Sequence, residues 1–212
     1  MCNLYSITTN QEAMRQLFAV REDRTGNLPA MPSVFPDTMA PIVRTAPDGE
    51  RELTMMRWGF PPPPNVPPRP VTNVRNVKSP YWRTWLKPEF RCLVPATSFC
   101  EYTDSQPKVP HWFALGHARP LFAFAGIWRP WTGERKKELA EHRLFAFLTC
   151  EPNDIVRPIH AKAMPVMLTT HAEFERWLLA PTNEALDLQR PLANEDLMVV
   201  ATGKRADGDP SG

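Results

Sequence analysis

Proline is the residue that most constrains this chain: 25 of its 212 residues are proline, against only 9 glycines. The pyrrolidine ring fixes φ and removes a backbone donor, so proline breaks helix interiors and central strands alike. The surplus argues against a helical bundle and for short strands joined by surface loops. Seven of the prolines fall in residues 61–70, PPPPNVPPRP, a stretch expected to form an extended surface loop. The remaining composition, 42% hydrophobic and 23% charged, is that of an ordinary folded chain rather than a disordered one. The length fits a single domain over residues 1–202. The polar stretch 203–212 reads as a disordered tail.

Local patterns refine this picture. Thr9-Asn10-Gln11-Glu12 reads as a capping box before the apolar face Met14, Leu17 and Phe18. Ser79-Pro80 is expected to open a short helix through Trp82 to Leu86, with proline at its first position. A second capping box, Thr170 to Glu173, precedes Phe174, Trp177 and Leu178, and a last short helix starts near Thr182. Strand signals dominate elsewhere. Ile42–Arg44 and Leu53–Met56 flank Asp48-Gly49, a hairpin signal. Arg91–Val94, Phe99–Tyr102, Trp112–Leu115, Leu121–Trp128, Leu144–Thr149, Val166–Leu168 and Leu197–Ala201 follow. Several are apolar almost throughout, as buried strands are. The expected class is α+β and β-rich, with a central open β-barrel or sandwich and a few peripheral short helices.

No cysteine pair among Cys2, Cys92, Cys100 and Cys150 has CxxC spacing, and the histidines form no HxH or HxxxH pair. No metal site and no cofactor are expected. No apolar run approaches the ~18 residues of a membrane span, and residues 1–24 lack the pattern of a signal peptide. These features predict a cytoplasmic, monomeric protein with free thiols and no membrane partner. Net charge is +2, which gives no global case for nucleic acid. The distribution says more. Between Glu52 and Glu89 lie Arg57, Arg69, Arg75, Lys78, Arg83 and Lys87 without an acidic residue, leaving −4 for the remainder. Trp58, Phe60, Tyr81, Trp82 and Trp85 interleave with them, as cations and π-faces do in a single-strand groove. A solvated face beside core aromatics would produce the same pattern.

Four residues can carry chemistry. If Met1 is removed, Cys2 presents a thiol and an α-amine on adjacent carbons. The amine's reference pKa of about 7.7–8.0 leaves part of it neutral at pH 7. Such an amine attacks an aldehyde to give a Schiff base, and the thiol then closes a thiazolidine. The same residue can also act as an N-terminal nucleophile on an amide. His160, on a loop before a strand, suits proton transfer. Glu101, after an apolar run, suits an acid/base role with a raised pKa. Asn73 can orient an amine or an oxyanion. Taken singly, each is equally compatible with an ordinary structural residue.

In combination they are more specific. Met1-Cys2-Asn3, Trp58-Gly59-Phe60, Asn73-Val74-Arg75, Arg91–Ala96 with Phe99-Cys100-Glu101-Tyr102, and His160 with Met164-Pro165-Val166 occur in an order that resembles the SOS-response-associated peptidase (SRAP) family of abasic-site shields. The resemblance runs from residue 1 to about 180. It implies a β-rich fold that binds single-stranded DNA in a positive groove. It also implies that Cys2, freed of Met1 by self-processing, cross-links the ring-opened aldehyde of an abasic site as a thiazolidine. By the same resemblance Asn73 holds the cysteine and the opened sugar, His160 assists ring opening and Schiff-base proton transfers, and Glu101 is the general acid/base. Trp58, Gly59, Phe60, Arg75 and Arg83 would contact DNA, with Lys162 standing in for an arginine.

The chain departs from the family pattern at Asn3-Leu4 (usually Gly-Arg), at Asn76-Val77-Lys78 (usually Ala-Glu-Thr) and at Tyr102 (usually Trp). The departures touch DNA contacts more than the reacting residues. Two other readings use the same residues. One is a thiol peptidase or amidohydrolase with Cys2 as nucleophile. The other is a damaged-DNA binder with an inert Cys2.

Overall fold

The structure is a computed structural model that describes residues 2–62, 69–135 and 137–208, with the backbone alone for Glu138. At its centre five strands form a closed barrel: Met39–Thr45, Arg51–Trp58, Arg91–Ala96, Phe122–Arg135 and Glu138–Cys150. Four of the junctions are antiparallel. The ring shuts through a short parallel pairing, Leu144 against Arg57 and Phe145 against Trp58. The β-rich class with a barrel at its centre is therefore as expected, and the barrel is closed rather than open. Closure leaves these strands no free edge. It also explains why Arg91–Ala96 is buried at every position. Gly126 marks a close approach inside the wall: a Cβ there would lie 2.7 Å from both Cys92 Sγ and Val94 Cγ2.

The Asp48-Gly49 hairpin forms as the sequence predicts, with Gly49 at φ +88°. Both long strands run well past their apolar cores. Phe122–Arg135 and Glu138–Cys150 stay paired from Gly126–Phe147 out to Arg135–Glu138 as a protruding two-stranded arm.

A second sheet of five strands leans on the barrel, in the order Met198–Thr202, Pro110–Ala114, Ser98–Tyr102, Tyr5–Ile7, Met31–Val34. The chain crosses from barrel to sheet at Thr97, whose hydroxyl contacts the Ser6 carbonyl at 3.2 Å and the Thr8 amide at 3.1 Å. Tyr5 locks the sheet to the barrel. Its ring packs edge-on to Trp58 (5.1 Å), Phe124 (5.6 Å) and Phe147 (6.1 Å). Aromatic pairs in this geometry contribute about 0.5–1.5 kcal/mol each beyond area burial.

Helices are few and peripheral. Asn10, rather than Thr9, caps Gln11–Leu17 by accepting from the Ala13 amide at 2.8 Å. The Thr170–Glu173 capping box forms as predicted and opens His171–Leu179. Thr182–Leu186 follows. The helix expected from Ser79-Pro80 to Leu86 is only a 3-10 turn, Pro80–Trp82. Prolines at 80 and 88 confine it, and the next turn, Pro88–Phe90, begins on the second of them. Among the described residues no helix is long and apolar enough to cross a membrane. Of the Pro61–Pro70 loop, residues 63–68 lie outside the described residues. Its base is a bridge between Phe60 and Val71. Of the expected tail, residues 209–212 also lie outside them, while Asp207 is 1% exposed.

Candidate functional site

Cys2 sits at the seam between barrel and sheet. It is fully buried because the strand it precedes, Tyr5–Ile7, is held between Met31–Val34 and Ser98–Tyr102. Its thiol donates to the Leu4 carbonyl at 3.4 Å and lies 3.9 Å from the Cys100 carbonyl. The barrel side grips its backbone. Asn73 lies on a two-residue strand that pairs in parallel with Glu138–Cys150, and its side-chain amide donates to the Cys2 carbonyl at 2.7 Å. Thr72 completes the clamp. Its hydroxyl lies 2.7 Å from the Asn73 amide and donates to Asn3 Oδ1 at 2.9 Å, while its carbonyl takes the Trp58 indole N–H at 3.1 Å.

Glu101 and His160 meet beside this clamp. Glu101, on Ser98–Tyr102, is 3% exposed, and its Oε2 lies 3.9 Å from His160 Nδ1. The loop carrying His160 is turned inward by a backbone bond from the His160 amide to the Val156 carbonyl, 2.8 Å. Among the described residues, two buried oxygens here have no protein donor: Asn73 Oδ1 and Glu101 Oε1. A buried acceptor left unmatched costs about 1–3 kcal/mol, so the seam is built to receive donors.

Burial dominates the electrostatics. It pushes the Glu101 carboxyl up to about 7, where one group can both give and take a proton near neutrality. Burial first, then the positive charge of the N-terminus and, more weakly, of Lys162 and Lys108, outweigh Asp104 and hold the His160 imidazole below its ordinary value, hence neutral at pH 7. Burial and the Glu101 charge push the Cys2 thiol well above its ordinary value.

Glu101 and His160 open onto a polar cleft of about 580 Å³ that also includes Lys108, Lys162 and Arg205. Asn3, Tyr102 and Asp104 line it as well. Thr72, Lys108 and Arg205 were not singled out by the sequence reading. Thr72 carries no motif signal beyond its place before Asn73, and the two cations lie in polar stretches that read as plain loop.

The structure gathers Cys2, Asn73, Glu101 and His160 at one place, and Lys162 lines the adjoining cleft. It does not bring the remaining expected DNA contacts there. Trp58 and Phe60 are fully buried, which corrects the expectation that they touch DNA. Trp58 stacks on Phe147 at 5.2 Å and Phe60 packs on Trp82 at 5.8 Å, so no π-face is free. Gly59 between them is buried too, at φ +120°, where a Cβ would stand 2.5 Å from Pro70 Cβ. It shapes the turn. Arg75 is half-buried in an ion pair with Glu151, and Arg83 is exposed.

A family model described as SOS response associated peptidase (SRAP) matches residues 1–205. The abasic site processing protein YoqW of Bacillus subtilis (strain 168) is 32% identical over 135 residues, covering 59% of this chain and 57% of that protein. The abasic site processing protein YobE of the same organism is 31% identical over 137 residues, covering 59% and 58%. The match thus spans little more than half the length of these curated relatives. A crystal structure of a protein from Bordetella bronchiseptica superposes with a TM-score of 0.73 at 24% identity, covering 95% of this chain and 98% of that one. One from Bacteroides thetaiotaomicron does so with 0.74 at 23%, covering 95% and 90%. At these identities the structural likeness is one of fold.

Proposed function

The chain belongs to the SOS response associated peptidase (SRAP) family, and on that premise we propose that it captures abasic sites in single-stranded DNA through Cys2. In this reading it hydrolyses its own Met1–Cys2 bond, works as a monomer without a cofactor, and acts in the cytoplasm during the DNA-damage (SOS) response. The reading draws support from relatives named as abasic site processing proteins. The observation that carries it is the convergence at Cys2 of two unsatisfied buried acceptors, Asn73 Oδ1 and Glu101 Oε1, with a neutral His160 beside them. An α-amine on Cys2 is the donor that such a pocket lacks.

The chemistry then runs in order. His160 takes the hydroxyl proton of the abasic sugar's ring form and passes a proton to the ring oxygen as the C1′–O4′ bond breaks, which gives the open aldehyde and restores neutral His160. The neutral Cys2 amine adds to the carbonyl carbon. A proton passes from the new ammonium nitrogen to the alkoxide oxygen, protonated Glu101 gives its proton to the resulting hydroxyl so that water leaves, and the iminium nitrogen returns a proton to Glu101 to give the Schiff base. The thiol adds to the imine carbon and its proton ends on nitrogen, which closes the thiazolidine. Asn73 fixes the Cys2 backbone throughout. The raised thiol pKa favours this amine-first order over thiolate attack on a peptide bond, so trans peptidase activity is the weaker reading. Lys162, Arg75 and Arg83 serve the DNA backbone.

The test is mass spectrometry of the Met1-free protein mixed with uracil-containing single strands after glycosylase treatment. A covalent adduct that is lost in Cys2→Ala is expected. Equal adduct from Cys2→Ala would end the proposal.

A further inference from the structure

The stretch after Thr202 has the composition of a frayed tail, yet residues 203–208 run along the cleft under unusual restraint. The Gly203 amide donates to the Pro110 carbonyl at 2.9 Å, and the Lys204 carbonyl takes the Trp112 indole N–H at 2.9 Å. The clasp is Asp207, whose carboxylate is buried. It accepts from Arg119 Nε at 2.6 Å, from the second guanidinium nitrogen at 2.7 Å, and from Ser98 Oγ at 2.5 Å, while its amide reaches the Pro32 carbonyl at 3.0 Å. Ser98 Oγ in turn lies 2.7 Å from Ser6 Oγ, on the strand that follows Cys2. Burying a carboxylate is costly unless it is paired and hydrogen-bonded, as this one is. A polar tail with no task would leave its aspartate in water.

What the restraint positions is Arg205. It lies between the Trp112 tie at Lys204 and the Asp207 clasp, is exposed, and lines the cleft with Lys108 and Lys162. Among the described residues none of these three cations has a carboxylate within ion-pair distance, unlike Arg57, Arg75, Arg119 and Arg176. Three unpaired cations around one cleft, with Asp104 as its exposed acid, suit a polyanion passing over Glu101 and His160. Resting on the function proposed above, we propose that Arg205 is a phosphodiester-binding residue for the strand that carries the abasic site, held at the cleft lip by the strap 203–208 with Asp207 as its clasp.

The experiment measures binding of the full chain to an undamaged fluorescent single strand across a potassium chloride series, beside cross-linking to the abasic strand. Arg205→Ala is expected to lower the slope of log K against log salt by about 0.7, the value of one phosphate contact on a single strand. It should weaken all sequences alike. Arg205→Lys should restore the slope, which a purely structural arginine would not allow. Arg119→Met, which removes no residue lining the cleft, should reproduce the Arg205→Ala loss by releasing the clasp, and adding Arg205→Ala to it should change nothing further. If Arg119→Met does not fold, the Ala and Lys variants at 205 decide alone. An unchanged slope in Arg205→Ala, with cross-linking intact, overturns this inference only. Absence of cross-linking by the parent protein overturns the functional reading instead.

Discussion

Two cation-bearing regions of this molecule differ both in sequence and in space. The first is the acid-free stretch between Glu52 and Glu89, where basic and aromatic residues alternate. The second is the cleft of Glu101, His160, Lys108, Lys162 and Arg205, assembled from four separate stretches of chain. In the first, folding separates the two residue types. Trp58, Phe60 and Trp82 turn into the core, Arg57 pairs with Asp37 and Arg75 with Glu151. Even the half-buried Trp85 has one face covered, by the guanidinium of Arg129 at 4.3 Å. In the second, residues without any shared motif converge and keep their charges unpaired. Interleaving along a chain is therefore poor evidence for interleaving on a surface, because barrel strands send alternate side chains to opposite faces.

The largest expected effects test that contrast directly. Trp58→Ala should cost about 3–5 kcal/mol, as loss of a buried indole does, seen as a fall of roughly 10 °C in melting temperature. Its salt-dependent DNA binding, measured well below the melting point, should match the parent. Loss of DNA affinity without loss of stability would return Trp58 to the interface. Asn73→Ala should do the reverse. With the 2.7 Å tether to the Cys2 carbonyl gone, cross-linking should slow about 10²-fold, the usual result of misplacing a reacting group by an ångström. Affinity for undamaged strands should hold.

The same contrast shows what could be read in advance. The barrel strands were legible because buried strands are apolar runs, and Arg91–Ala96 and Leu144–Thr149 are such runs. The capping box at Thr170 was legible because both halves of it are local. Cys2, Asn73, Glu101 and His160 were identified together through motif order, and the structure gathers them. Closure of the barrel was not legible, since it rests on a parallel pairing of only Leu144 and Phe145 with Arg57 and Trp58. Nor was the Tyr5–Ile7 strand, which at three residues is too short to show a period of its own and is held by pairing with a neighbour on each side. The clasp at Asp207 escaped for a similar reason. Its partners Arg119 and Ser98 lie 88 and 109 residues away, and composition alone marks the segment as tail.

A smaller effect separates the chemistry of the seam from its stability. Burial holds the Glu101 carboxyl at about 7, against 4.5 for the free side chain. Between those pH values the folded chain keeps a proton that the unfolded chain has released, so stability falls as pH rises through the window. The whole penalty, present above about pH 7, is at most roughly 3 kcal/mol. Glu101→Gln removes it. Melting curves should show the variant more stable than the parent near pH 8 and equal to it near pH 4, while cross-linking drops at both. A variant that is no more stable at alkaline pH would mean that Glu101 ionises freely and is not the proton donor.

The smallest effect distinguishes two exposed cations, Lys162 in the cleft and Arg83 in the basic stretch. Each replaced by alanine is expected to lower the salt slope of single-strand binding by no more than about 0.7. Only Lys162 also acts on His160, whose imidazole it helps hold below its ordinary value. Lys162→Ala relieves that repulsion, so the His160 pKa rises and protonation sets in at higher pH. Cross-linking that needs neutral His160 should then lose rate on its acid limb at a higher pH than the parent, whereas Arg83→Ala should leave the limb in place. An identical acid limb in both variants would show that Lys162 meets the DNA without touching the reaction, and would bring the two regions closer in function than their geometry suggests.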